Sequence, residues 1–164
     1  MSEEHREIDL SNSEKKILVD EDIYSELSKW TWYLHEDGSA CRRKSLQDGT
    51  RTNWIERMHR EIMQLQKGDR KVVDHINGNR LDNRKSNLRI CTTSQNMMNA
   101  RIKKSSKTGL KGVTRTAQKM ESYTAYIRYN GKKYSANKFR TKEDAYEFAC
   151  LLRDTVHGDF ANHG

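Results

Sequence analysis

Asp74 and His75 stand side by side after a short apolar run, Val72-Val73, and the turn former Asn77-Gly78-Asn79 follows almost at once. Asn87 precedes a second apolar run around Leu88 and Ile90, and Asn96 falls in the opening turn of the helix expected next. These residue types suit the hydrolysis of a phosphodiester. An imidazole can take the proton of an attacking water near neutral pH, because its ordinary pKa lies close to that pH. A carboxylate and an amide oxygen can share a divalent cation that stabilises charge on the phosphate and on the leaving oxygen. His75 is therefore the candidate general base, with Asp74 and Asn96 as candidate metal ligands. Oxygen donors without a sulfur partner suit Mg²⁺ or Mn²⁺ better than Zn²⁺. One divalent ion per site is expected, and no structural zinc.

Neighbouring residues on a strand point to opposite faces, so Asp74 and His75 cannot converge from inside a regular strand. The pair must sit where the strand ends. A strand over 71–74 and an antiparallel partner over 88–90 are expected, joined by a long polar loop. Asn87 is placed to tie that loop, either by bonding backbone or by orienting the imidazole. Thr92 and Gln95 fit the capping box of a helix running to about Lys104, with Asn96 and Asn99 on one face. Upstream, a helix beginning between Ile55 and Met58 and ending at Gly68 carries Met58, Ile62 and Leu65 as its apolar stripe. His59 lies beside that stripe and reads first as a packed structural residue. His59, Arg60 and Asn99 are accessory candidates.

The rest of the chain must position these groups. At 164 residues, with 34% hydrophobic and 33% charged residues and no proline, small packing units joined by polar connectors are expected. Residues 1–13 lack periodicity and are expected to fray. A strand over 16–19 precedes a helix capped by Asp20 or Asp22 and bearing Ile23, Leu27 and Trp30. Strands over 31–34 and 40–43 flank the Asp37-Gly38 turn, with Arg42, Arg43 and Lys44 either near phosphate or guarding an edge. The three cysteines are scattered and form no C-x-x-C pair, so neither a disulfide framework nor a cysteine zinc site is indicated. No apolar run is long enough to span a bilayer and no secretory signal opens the chain. The expectation is a protein of the cytoplasm or nucleoid of a bacterial or phage-infected cell, neither secreted nor bound to membrane.

Charge is uneven. Residues 101–140 carry twelve Lys/Arg against one acid, whereas residues 1–40 carry eleven acids against four bases. A basic segment beside an acidic one suits a polyanion, most simply nucleic acid. Within it, the pattern from Tyr123 to Asn137 alternates about Asn130-Gly131, a strong hairpin signal. A two-residue turn pairs Tyr129 with Lys132, Ile127 with Tyr134 and Ala125 with Ala136. Tyr126, Arg128, Lys133, Ser135 and Asn137 then share the other, basic face. Thr141 caps a final helix whose stripe is Ala145, Phe148, Ala149, Leu152 and Val156, ending at Gly158, and this helix is expected on the apolar face.

Two resemblances follow from these residues. The stretch from His59-Arg60 through Val-Val-Asp-His-Ile-Asn-Gly-Asn-Arg-Leu-Asp-Asn-Arg and Ser-Asn-Leu-Arg to Ser-Gln-Asn resembles the HNH endonuclease family, more narrowly its homing-endonuclease branch. Asp74-His75 matches the first motif position, Asn87 the middle asparagine, and Asn96 the last ligand, where the family name expects histidine. The resemblance implies a ββα-metal fold, His75 as general base with Asn87 in the catalytic set, Asp74 and Asn96 on the ion, and products ending in 5′-phosphate and 3′-hydroxyl. Lys111-Gly112-Val113, Tyr126-Ile127-Arg128, Phe139 and the Thr-Lys-Glu-Asp-Ala-Tyr helix resemble the APETALA/ethylene-response-factor DNA-binding domain, with Thr114 and Tyr123 where that family has arginine and tryptophan. That family lays a three-stranded sheet in the major groove.

The expected architecture is α+β. A small mixed N-terminal β/α region leads into a ββα-metal hairpin and helix, followed by a three-stranded antiparallel sheet packed on one helix. The nuclease region is expected over 1–104 (core 55–104), a basic linker over 105–110, and the APETALA-like domain over 111–164. The expected partner is double-stranded DNA, bound by a monomer or weak dimer without a small-molecule cofactor. Candidate contacts are Arg101, Lys103, Lys104, Lys111, Arg115, Tyr126, Arg128, Lys132 and Lys133. The alternative function is a catalytically inactive, sequence-specific DNA-binding regulator.

Overall fold

A computed structural model describes residues 5–45, 51–100, 102, 106–116 and 122–163. Its packing divides the chain into two units, residues 1–91 and 92–164. Arg101, Lys103 and Lys104 lie outside the described residues.

The first unit opens with an antiparallel pair, β1 (His5–Leu10) and β2 (Ser13–Asp20). The fraying expected of residues 1–13 is corrected for residues 5–13, while residues 1–4 lie outside the described residues. Ile8 and Leu10 alternate with polar residues and are buried together with Ile17 and Val19 of β2, and six residues suffice for a strand once a partner covers one face. Helix α1 (Glu21–Leu27) follows without a side-chain cap. The carboxylate of Asp20 instead accepts a hydrogen bond from the Lys85 backbone N–H at 2.7 Å. Trp30, expected on this helix, lies beyond its end and is exposed.

A three-stranded antiparallel sheet comes next, β3 (Tyr33–Leu34), β4 (Ala40–Ser45) and β5 (Arg51–Arg57), in that order. Arg42 of β4 donates two hydrogen bonds to Glu61, both 2.9 Å, and its guanidinium lies 4.2 Å from the Trp30 ring centre. This arginine is spent inside the protein. Helix α2 (Met58–Ile62) begins where expected but ends well before Gly68. Gln64 takes a left-handed φ of 56° and breaks the helix, a conformation sequence ordinarily advertises with glycine or asparagine. Met58 is fully buried in a core with Trp32, Ile17, Val19 and Leu81. Trp32 Nε1–H donates to the Leu27 carbonyl at 2.8 Å, which satisfies its one polar group. The unit closes with the hairpin β6 (Val72–His75) and β7 (Leu88–Cys91).

The second unit begins with α3 (Thr93–Asn99), whose capping box is complete: Thr92 Oγ1 accepts from the Gln95 N–H, and Gln95 Oε1 accepts from the Thr92 N–H. The helix stops at Asn99 rather than near Lys104, because Ala100 turns to ψ 136°. Strands β8 (Val113–Thr116), β9 (Ser122–Tyr129) and β10 (Lys132–Phe139) form an antiparallel sheet in the order β10-β9-β8. The hairpin register is the expected one, with Tyr129 opposite Lys132, Ile127 opposite Tyr134 and Ala125 opposite Ala136. Asn130 and Gly131 at φ 46° and 76° make the turn. Past Ala136 the register shifts, and Lys138 at φ 71° carries the irregularity.

Helix α4 (Lys142–His157), capped by Thr141, packs Ala145 and Ala149 against Val113 and Ala125. Two alanines on the helix let its backbone approach the sheet closely. Gly112 permits a similar approach. A Cβ there would meet the Tyr126 carbonyl oxygen at 2.6 Å. Arg153, which the apolar stripe does not predict, is buried on α4 and donates to the Lys111 carbonyl and to His163 Nδ1. His163 in turn meets the Asp154 carboxylate at 2.9 Å.

The architecture is thus mixed α/β, built from several small antiparallel sheets and four helices among the described residues. The hairpin and the helix that would complete a ββα unit fall in different units.

Candidate active site

The site is built around the loop that joins β6 to β7. Its polar residues bond one another. Gly78 at φ 69° closes the first turn, donating its N–H to the His75 carbonyl at 2.8 Å. Asn77 Oδ1 accepts from the Asn79 N–H at 2.8 Å, and Asn79 Oδ1 from the Leu81 N–H at 3.2 Å. Such side-chain-to-backbone bonds fix a loop as firmly as a short helix would. Asp82, almost fully buried, accepts two hydrogen bonds from Arg84 and one from Asn77. These donors hold its carboxyl below the usual carboxylate range, with Arg84 the largest influence.

The loop is also stitched to β2. Leu18 N–H donates to the Leu81 carbonyl and Asn83 N–H to the Leu18 carbonyl, each at 2.8 Å. Leu81 enters the core beside Ile17 and Val19. The first hairpin of the chain therefore sets the position of Asn83.

Asp74 and His75 occupy the last two residues of β6, opposite Arg89 and Leu88. They are 5% and 6% exposed. His75 Nε2 lies 3.4 Å from Asn83 Oδ1, and Asn83 Nδ2 donates to the Arg80 carbonyl. That second bond orients the amide, so Oδ1 faces the imidazole and the hydrogen belongs on Nε2. Burial pushes the His75 pKa down, and the Asn83 hydrogen bond and the nearby carboxylates partly oppose it. Asp74 turns to Arg89 across the strand pair, its Oδ2 accepting from Nε at 2.9 Å and meeting Nη2 at 2.8 Å.

The other candidates are placed as follows. Asn87 ties the loop, taking the first of its two alternatives: Oδ1 accepts from the Asn77 N–H at 3.0 Å and Nδ2 donates to the Asp82 carbonyl at 2.8 Å. Asn83 faces the imidazole instead. Nothing in the local sequence marks Asn83 for this place, since Asp82-Asn83 is an ordinary polar loop pair. His59 packs its ring on His75, with centroids 5.0 Å apart and planes at 84°. Arg60 braces the backbone that follows α2, donating to the Gln66 and Lys71 carbonyls. Asn96 lies half-buried on α3, and Asn99 receives Asn162 Nδ2 on its backbone and side-chain oxygens.

On the sheet of the second unit, Arg115, Arg128, Lys132 and Lys133 are exposed. Tyr126 is half-buried with Lys133 Nζ 4.8 Å from its ring centre. Lys111 differs, since Nζ donates to the Met98 carbonyl at 3.1 Å and burial lowers its pKa to about 8. Among the described residues no cluster of three His, Cys, Asp or Glu could hold a metal. The donors present are hard oxygens, a buried carboxylate foremost. They suit a divalent cation with several open positions, provided the ion shares Asp74 with Arg89.

Residues 56–98 match a family model described as HNH endonuclease. Over 89 residues, 54% of its length, the chain is 35% identical to "Uncharacterized HNH endonuclease L560" of Acanthamoeba polyphaga mimivirus. It spans 44% of that relative, less than half. Over 91 residues it is 30% identical to "Protein 3.8" of Escherichia phage T7, spanning 72% of that protein. The chain therefore belongs to the family of Protein 3.8 and carries an HNH endonuclease domain at residues 56–98. The family description and the mimivirus relative's name point to a nuclease. No solved structure matches the chain. No helix among the described residues is long and apolar enough to cross a membrane.

Proposed function

We propose that the chain is a metal-dependent, homing-type HNH endonuclease that hydrolyses phosphodiester bonds in duplex DNA. One observation carries this reading above the rest. Inside the matched segment, a buried imidazole has its Nε2 hydrogen held by Asn83, next to a buried carboxylate at the end of the same strand.

With the hydrogen on Nε2, the lone pair of His75 sits on Nδ1. That nitrogen takes a proton from water as the water oxygen bonds to phosphorus and the bond to the 3′-oxygen breaks. The leaving oxygen takes a proton from solvent, leaving a 5′-phosphate and a 3′-hydroxyl. Asp74 and Asn96 would hold a Mg²⁺ or Mn²⁺ ion, which would supply charge stabilisation at the phosphate and the leaving oxygen. Asn87 contributes by fixing the loop from which Asn83 reaches the base.

The carboxy-terminal part, 111–164, is read as an APETALA-like DNA-binding domain joined through 105–110 to the nuclease core at 55–104. Its sheet meets DNA through Tyr126, Arg128 and Lys133, with Arg115 and Lys132 on phosphates. Arg101, Lys103 and Lys104 add charge near the linker, and Lys111 acts mainly as a structural bond to Met98. The test is nicking or linearisation of supercoiled plasmid carrying natural flanking sequence. Cleavage is expected with Mg²⁺ or Mn²⁺ and none with chelator. Tight, salt-sensitive binding without cleavage in either metal would favour the inactive regulator instead.

A further inference from the structure

His59 is a buried group beside the proposed base with no role in the chemistry above. It is 8% exposed, and its Nδ1 is buried without a hydrogen-bond partner. A buried polar atom left unpaired costs about 1–3 kcal/mol. A histidine kept for structure ordinarily spends its nitrogens on hydrogen bonds. Here the Nδ1 makes none, and what the ring does make is a perpendicular contact with His75 at 5.0 Å. The backbone supports that contact firmly, since Met58 beside it is fully buried in the core.

We infer that His59 is a positioning residue for the general base, an inference that rests on the nuclease reading of His75. Asn83 Oδ1 meets one edge of the His75 imidazole at 3.4 Å. The His59 ring, set at 84° to the first with centroids 5.0 Å apart, packs against it as well and limits its swing. The imidazole is then held in the plane that delivers its lone pair. Burial keeps His59 itself neutral, with its pKa lowered to about 3. No second positive charge therefore stands beside His75 when it takes up a proton.

The experiment compares wild type with His59→Ala and His59→Phe, all as full-length chain. Three quantities are read: the single-turnover cleavage rate on supercoiled plasmid in Mn²⁺, the DNA Kd in chelator, and the ¹⁵N shifts of the His75 ring in histidine-labelled protein. In the Ala variant the rate should fall by about 10–100-fold, as for other residues that orient a catalytic group, while Kd holds. The His75 ring should pass from one predominant tautomer to a mixture. The Phe variant restores ring shape without nitrogen and should recover most of the rate and the single tautomer. A folded Ala variant with wild-type rate and shifts would overturn the inference. So would a folded Phe variant as impaired as Ala, since the nitrogen would then be the active feature. If wild type cuts nothing, the nuclease reading fails, and the ring shifts alone still decide whether His59 orders His75.

Discussion

Asn83 Oδ1 lies 3.4 Å from His75 Nε2, and the amide reaches that place because its own backbone is bonded to Leu18 of a strand more than sixty residues earlier. The tautomer of the proposed general base thus depends on packing of the amino-terminal hairpin. Asn83→Ala should lower the cleavage rate by about 10–100-fold and leave DNA binding in chelator unchanged. A single-turnover assay paired with an anisotropy titration checks this. Equal rates would place the control of His75 elsewhere.

Arg89 and Asp74 face each other across the β6–β7 pair with little exposure on either side chain. Removing the arginine takes two close contacts from a buried carboxylate, at a cost of about 3 kcal/mol. Arg89→Gln should therefore melt lower than wild type in chelator. A divalent ion bound at Asp74 offsets that loss, so Mg²⁺ or Mn²⁺ should raise the Tm of Arg89→Gln more than that of wild type. Identical metal shifts in the two proteins would argue against an ion on Asp74.

Burial lowers the pKa of His59 to about 3 and also depresses that of His157. Unfolded chain carries both near 6.5. Below that pH the unfolded state binds protons that the folded state does not, so stability falls as pH drops from about 6.5 toward about 3. Above it these groups contribute no pH dependence. His59→Phe should flatten part of this acid-side decline in denaturant melts between pH 7 and pH 4. An unchanged slope would mean that His59 titrates normally.

If the sheet of the second unit grips phosphate, each exposed cation lost should reduce the salt dependence of binding. Neutralising Arg128 and Lys133 together should lower the slope of log K against log salt by about 2. The measurement is anisotropy over a salt series in chelator. A slope unchanged by the double variant would move the contact to another face.

Some of this was legible before any coordinates. The Asn130-Gly131 turn fixes which residues pair, so the β9–β10 register follows from local chemistry, as do the Thr92 and Thr141 caps. Asp74, His75 and Asn87 could be singled out because their types and spacing are unusual. Other features depend on distant partners and leave no local mark. Ile8 and Leu10 become a strand only when Ile17 and Val19 share their face. Helix α2 ends at Ile62, and Gln64 just beyond takes a left-handed conformation that no propensity signals. Asn83 and Arg89 look like an ordinary turn residue and an ordinary strand cation until β2 and Asp74 meet them. The irregularity at Lys138 and the buried Arg153 are similar cases, set by the sheet edge and by the Lys111 carbonyl.

The most direct test is cleavage of supercoiled plasmid in Mn²⁺ by wild type and by His75→Ala, each first shown to bind the same DNA in chelator. Wild type should convert the plasmid to nicked or linear product, and the variant should bind with similar affinity yet cut at least about 100-fold more slowly. Cleavage by a folded His75→Ala protein at the wild-type rate would contradict the account.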